Sequence, residues 1–232
     1  MDIGQSSLWQ LVRSSDTMTL VVLALLLGMS VFCWTVFLYK LILLRIKKKQ
    51  LRRALAHMKN AEDLDDVLYV TSKFSNTLPG YFLSKSLAYL KSLLMTNDGK
   101  EKSLSDREWN ILEHMMHQVH DSILYSEEQM VPLVGASAAI APLLGLFGTI
   151  WGLMNAFIGI SHQQSADITA IAPGIAQALT TTVGGLLVAI PALVIFNYLN
   201  VQLRSMDEQL SMLSDRFMWL AQRLFYEKKK GK

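Results

Sequence analysis

Cysteine is almost absent. The one residue, Cys33, lies inside an apolar run, so no intrachain disulfide and no redox framework is possible. Catalytic signatures are missing too: there is no phosphate-binding glycine loop, no Gly-x-Ser-x-Gly elbow and no His-Glu-x-x-His pair, and the chain reads as a non-enzyme with no cofactor and no metal. The scarcest feature is charge, and its scarcity is local. Between Thr17 and Leu44 the only lysine, arginine or acidic residue is Lys40. From Met130 to Leu203 only His162 and Asp167 interrupt, tyrosines aside. A soluble core does not need apolar runs of that length, whereas a bilayer needs about 20 apolar residues per crossing.

The charge that is present is placed unevenly. Arg45, Lys47, Lys48, Lys49, Arg52 and Arg53 follow the first run, and Lys228, Lys229, Lys230 and Lys232 close the chain. Residues 161–168 carry no lysine or arginine, and residues 1–16 only Arg13. Basic residues mark the cytoplasmic side of a span, which explains both clusters without a nucleic-acid partner. The resulting expectation is an all-α integral membrane protein with three transmembrane helices, its second and third spans extended into long cytoplasmic helices. Residues 1–16 form an outer interfacial segment, not a signal peptide, since Asp2 and Asp16 are acidic and no small-residue cleavage site follows. Span one covers 17–44, a cytoplasmic helical region 45–128, span two 129–160, an outer loop 161–168 and span three 169–203. Residues 204–232 form a cytoplasmic helix and basic tail.

Within the middle region, Leu51, Leu55 and Met58 fall at helical spacing, and Thr77-Leu78-Pro79-Gly80 and Asn97-Asp98-Gly99 read as loops. Glu62, Asp63, Asp65 and Asp66 read as an acidic helix start. Ser105 with Glu108 fits a capping box, followed by Trp109, Leu112, Met116, Val119 and Ile123 at steps of three and four. No glycine or proline follows before Pro132, so this helix is expected to run straight into span two. After span three, Leu203, Met206, Leu210, Leu213, Phe217, Leu220 and Leu224 form a heptad-like seam that calls for a cytoplasmic helix partner. His114, His117 and His120 could share a metal only in part, because the third drifts off the face; a solvated helix is the plainer reading.

Small residues define one face of each later span. In span two, Ala138, Pro142, Gly145, Thr149, Gly152, Ala156 and Gly159 step by four and three; in span three, Gly174, Ala178, Thr182, Gly185, Ala189 and Ala192 do the same. Such faces let helices approach closely in lipid, while Leu143, Leu146, Phe147, Leu186 and Leu187 lie elsewhere. Packing explains the glycines and alanines. It explains less well Thr149, Gln177 and the run Thr180, Thr181, Thr182, because three consecutive residues cover about 200° of helix surface and a glutamine amide in hydrocarbon wants a partner. A polar interior face is expected. Yet the hydrophobic parts of spans two and three contain no Asp, Glu, Lys, Arg or His. A proton relay needs a group that gains and loses a proton. Either this chain conducts nothing or a partner brings the carboxylate.

The stretches APLLGLFGTIWGLMNAF (141–157) and APGIAQALTTTVGGLLVAIPALVIFNYL (172–199) resemble the MotA/TolQ/ExbB proton-channel family, its TolQ branch first and its ExbB branch second. The resemblance implies a bacterial inner-membrane protein with a periplasmic N-terminus and a cytoplasmic C-terminus. It implies a homopentamer around the single spans of a TolR-like or ExbD-like partner carrying the membrane aspartate, with a TolA-like or TonB-like third component. The TolQ branch implies proton-driven envelope work in the Tol-Pal system, the ExbB branch TonB-dependent import. Thr149 matches the threonine of the family's GLFGT motif and Thr182 its pore threonine, and with Gln177 and Thr181 they would line the proton pathway. Gln177 departs from the pattern, since the family usually has glutamate there.

Overall fold

The computed structural model describes residues 16–95, 104–163 and 168–230. Among them the chain is helical with no strand, in six helices: α1 (Thr17–Lys59), α2 (Leu64–Lys73), α3 (Leu78–Met95), α4 (Asp106–Glu128), α5 (Val131–Gln163) and α6 (Ile168–Lys230). Three of these, α1, α5 and α6, are long and apolar enough to cross a membrane. The Asn97-Asp98-Gly99 loop lies outside the described residues. The chain divides into two compact units, one of residues 1–39 and 130–199, the other of residues 40–129 and 200–232.

The first unit holds the apolar parts of α1, α5 and α6. Its core joins Val22 and Leu26 of α1 to Ala141 of α5 and Ala189 of α6, with Met29, Leu144 and Val188 packed against them. Leucines of α1 lie over Gly184, Leu23 at 3.5 Å and Leu26 at 3.7 Å from where a Cβ would stand. The ring of Phe37 meets Tyr198 edge to face. Asp16 caps α1 by accepting the Thr17 N–H at 2.9 Å. Its other oxygen accepts from Trp151 Nε1 and Asn155 Nδ2 of α5, at 3.0 and 2.7 Å. Most large apolar side chains of α5 and α6, Leu143, Leu146, Phe147, Leu186 and Leu187 among them, point away from this core, as lipid-facing groups do.

The second unit is a helical bundle built on the C-terminal part of α6. The heptad-like seam is its spine: Leu203, Met206, Leu210, Leu213, Phe217 and Leu220 are all buried. Leu51 and Met58 of α1 and Leu112, Met116, Val119 and Ile123 of α4 are buried in the same unit, and Lys48–Gln202, His120–Asp207 and Arg216–Met58 hydrogen bonds tie these helices to α6. Arg216 closes the end of α1, donating to the carbonyls of Met58, Lys59 and Ala61 at 3.0, 2.9 and 3.3 Å. These orphan carbonyls of a helix C-terminus need donors. The acidic run is a helix start as expected, with Asp66 accepting from the Glu62 and Asp63 N–H groups. Ser105 and Glu108 form the expected capping box, Ser105 N–H to Glu108 Oε2 at 2.7 Å and Glu108 N–H to Ser105 Oγ at 3.4 Å.

Two expectations are corrected. Pro79 and Gly80 are not in a loop; they stand in the first turn of α3, where proline's missing N–H is no loss. A Cβ on Gly80 would meet the Phe74 carbonyl oxygen at 1.9 Å, so glycine lets the preceding turn fold back. The second correction concerns α4, which does not run straight into α5. It stops at Glu128, and Met130 adopts a left-handed φ of 71° before α5 begins at Val131. Pro132 cannot donate an N–H to the Glu128 carbonyl, and the helix end is also tied down by tertiary contacts. Buried Lys40 donates to the Glu127 carbonyl, and Lys47 pairs with the buried Glu127 carboxylate, so the end of α4 is held from α1.

Candidate functional site

The small faces of α5 and α6 meet each other within one chain. A Cβ on Gly145 would stand 2.9 Å from the Thr181 carbonyl oxygen, and one on Gly185 only 2.6 Å from that of Ala141. Gly152 stands against Ala178, and Gly174 against Ala156, with 2.9 and 3.0 Å to the side chains. Ala138, Gly145, Gly152, Ala178, Gly185 and Ala189 are buried, and Pro142, Ala156 and Gly174 half-buried. Gly159 departs from the stripe, since it is exposed and has nothing within 4 Å. Gly148, which the stripe omitted, belongs to the contact: a Cβ there would strike the Thr181 side chain at 2.6 Å.

Where the two backbones come closest, the hydroxyls gather on one carbonyl. Gly145 O accepts from Thr149 Oγ1 at 3.0 Å and from Thr181 Oγ1 and Thr182 Oγ1 at 3.1 Å each. Thr149 and Thr182 also share a hydrogen bond of 2.7 Å between their hydroxyls. The three consecutive threonines therefore do three different things. Thr180 returns its hydroxyl to the Ala176 carbonyl one turn back, at 2.8 Å, the usual way a membrane helix hides a hydroxyl. Thr181, expected on the pathway, is fully buried between α5 and α6 and also donates to Ala178 O at 2.7 Å. Thr182 joins Thr149 at the half-buried rim. Gln177 is half-buried on the same helix, one turn toward its N-terminus from Thr181.

Chemically this is a polar knot without an ionisable group. Hydroxyls can reorient, giving a hydrogen bond to a carboxylate or water as readily as to a carbonyl. They cannot store a proton at neutral pH. The histidines do not form a metal site: His114 and His117 are exposed, whereas His120 is buried and bonds Asp207 of α6 at 2.7 Å. Among the described residues no group of three potential ligands converges. The His120–Asp207 contact, the Asp16 contacts and the Lys40, Lys47 and Glu127 cluster escaped sequence reasoning. Each joins residues far apart in the chain, and no local pattern announces them.

The profile of the MotA/TolQ/ExbB proton channel family matches residues 79–212. A biopolymer transport protein ExbB of Pseudomonas putida is 31% identical over 218 residues, covering 93% of this chain and 63% of its own length, less than two thirds. The ExbB of Salmonella typhimurium is 29% identical over 218 residues, 94% of this chain and 87% of its own length. A Tol-Pal system protein TolQ of Haemophilus influenzae is 26% identical over 209 residues, 89% of this chain and 90% of its own length.

Proposed function

The chain belongs to the MotA/TolQ/ExbB proton channel family, and from that premise we propose that it is the ring-forming subunit of an ion-driven motor in the bacterial inner membrane. Several copies, five on the family pattern, enclose the spans of a TolR-like or ExbD-like partner whose aspartate carries the proton. Thr149 and Thr182 hydrogen-bond that carboxylate or its waters as it passes, and Gln177 contributes an amide at the same wall. Thr181 acts differently, holding α5 to α6 behind the wall. The observation that carries this reading is the pair of hydroxyls sharing one backbone carbonyl at 3.0 and 3.1 Å, in apolar spans whose hydrophobic parts hold no Asp, Glu, Lys, Arg or His. A packing face alone needs no such cluster at its half-buried rim.

The test is proton flux into liposomes holding this chain and its one-span partner. Flux is expected to vanish when the partner's aspartate becomes asparagine. It is expected to fall by about tenfold or more with Thr182→Val or Thr149→Val, the cost of roughly one charge-assisted hydrogen bond, while the assembly stays intact. Full flux in Thr182→Val would remove the threonine from the pathway. Flux that ignores the partner's aspartate would remove the motor reading itself.

We propose Tol-Pal envelope work as the load, with a TolA-like component, on the grounds of the Asn197-Tyr198-Leu199-Asn200 stretch. A second reading, TonB-dependent import with an ExbD-like and a TonB-like partner, is favoured by the identities to the two ExbB relatives. Complementation separates them. Restored outer-membrane integrity in cells lacking TolQ supports the first, and restored import in cells lacking ExbB supports the second.

A further inference from the structure

The second unit carries two exposed stripes of opposite sign. On α1, Arg45, Lys49, Arg52 and Lys59 are exposed, and no acidic residue occurs between Arg45 and Lys59. At 3.6 residues per turn these four fall within about 80° of one another. On α4, Glu113, Asp121 and Glu128 are exposed and likewise fall within about 80°. The buried residues of each helix, Leu51 and Met58 on α1 and Met116 and Ile123 on α4, lie on another side. Each stripe is centred more than about 100° from these residues, and its edge borders the contacts to α6, Glu113 beside His120 and Lys59 beside Lys48. Of the ion pairs Lys47–Glu127, His117–Glu113 and His120–Asp207, none joins one stripe to the other, and the 3.9 Å contact of His117 touches Glu113.

Their registers match. The Lys47–Glu127 pair sets α1 and α4 level at one point. His120 bonds Asp207, Lys48 bonds Gln202 and Arg216 bonds the end of α1. Together these contacts make α1 and α4 antiparallel: each step along α1 away from Lys47 corresponds to a step back along α4 from Glu127. Arg45, Arg52 and Lys59 are spaced by seven residues, and Glu128, Asp121 and Glu113 by seven and eight in the reverse sense. Each basic residue therefore stands level with an acidic one, Arg45 with Glu128, Arg52 with Asp121 and Lys59 with Glu113. Copies inserted the same way into one membrane are related by rotation about its normal, which keeps every residue at its own height. A ring is closed by a heterologous contact, one face of each copy meeting a different face of the next.

We propose that the α1 stripe of one copy meets the α4 stripe of its neighbour, and that these three charge pairs set the contact and the register between adjacent copies on the cytoplasmic side. The proposal rests on the ring reading above, and the occupant it names is a second copy of this chain. Three exposed pairs contribute little singly, but they are repeated at every interface and reject a neighbour out of register.

The test uses the full chain in nanodiscs. Single-cysteine chains, Arg52→Cys in one and Asp121→Cys in the other, are co-expressed in a Cys33→Ala background. A thiol cross-linker long enough to span an ion pair is expected to join them to each other, and neither to itself. Arg52→Glu and Asp121→Arg should each weaken assembly by about threefold or more, and the two together should restore it. If native mass measurement finds a monomer, the ring reading falls and the charge pairing with it. If a ring forms but no cross-link appears and the double swap is no better than the single ones, the pairing alone falls. If the Arg52→Glu defect is relieved by added anionic lipid but not by Asp121→Arg, the basic stripe reads lipid headgroups, and the pairing is again overturned.

Discussion

At the scale of single residues, the spans are decided by the difference between a hydrogen and a methyl group. Gly185 faces the Ala141 carbonyl oxygen at a distance where a Cβ would sit only 2.6 Å away, and what it would strike is backbone. The α5–α6 contact must open to admit it, and that opening also pulls Gly145 O from the threonine hydroxyls. Gly185→Ala is expected to cost about 1–3 kcal/mol, the range for overpacking. Gly159→Ala, with nothing within 4 Å, should be neutral or gain up to about 1 kcal/mol of helix propensity. Equilibrium unfolding in mixed micelles measures both, and equal effects would show that the close approach does not decide stability. The small-residue stripe was legible because helical period is written in the sequence. Gly148 was missed although its four-residue spacing to Gly152 is a known close-packing signal. The threonine run was legible as polarity but not as geometry. Neighbours 100° apart are equivalent in sequence, and only the approach of α5 sorts Thr180, Thr181 and Thr182 into separate roles.

At the scale of elements, the break between α4 and α5 is the feature that sequence reasoning got wrong. Helix ends are normally announced by glycine, asparagine or proline, and Gln129-Met130 offers none. Pro132, in the first turn of α5, has no N–H to carry the α4 ladder on to Glu128, and Lys40 and Lys47 of α1 hold the helix end at Glu127. Met130 bears the consequence, holding a φ of 71° that costs an L-residue about 1–2 kcal/mol. Met130→Gly should therefore be neutral or stabilising. Met130→Val, branched at Cβ where that conformation is worst tolerated, should cost at least about 1 kcal/mol more than Met130→Gly. Thermal unfolding of the two variants side by side checks this; a valine as stable as the glycine would mean that the turn is remade in solution. By contrast, the capping box at Ser105 and the seam from Leu203 to Leu220 were readable in advance. Both are local patterns whose partners lie within a turn or repeat at a fixed period.

At the scale of the whole molecule, the informative property is an absence that the sequence displays directly. Spans two and three hold hydroxyls and amides but nothing that titrates near neutrality, so on the proposed reading the proton path is completed by a partner. In the proposed function, three long apolar helices and a polar knot make a wall, and a partner brings the carrier. Gln177 is the sharpest place to examine this. By the resemblance drawn from the sequence it stands where a glutamate would be expected, on α6 one turn from Thr181. If the partner's aspartate is the only carrier, Gln177→Glu with the partner should change proton flux by no more than about threefold, an effect of local charge and not of a new relay. The variant without its partner should pass no more protons than empty liposomes. A large rise in flux with the partner would make position 177 a control point for conduction. Conduction by the unpartnered variant would show that one carboxylate is enough to turn the wall into a channel.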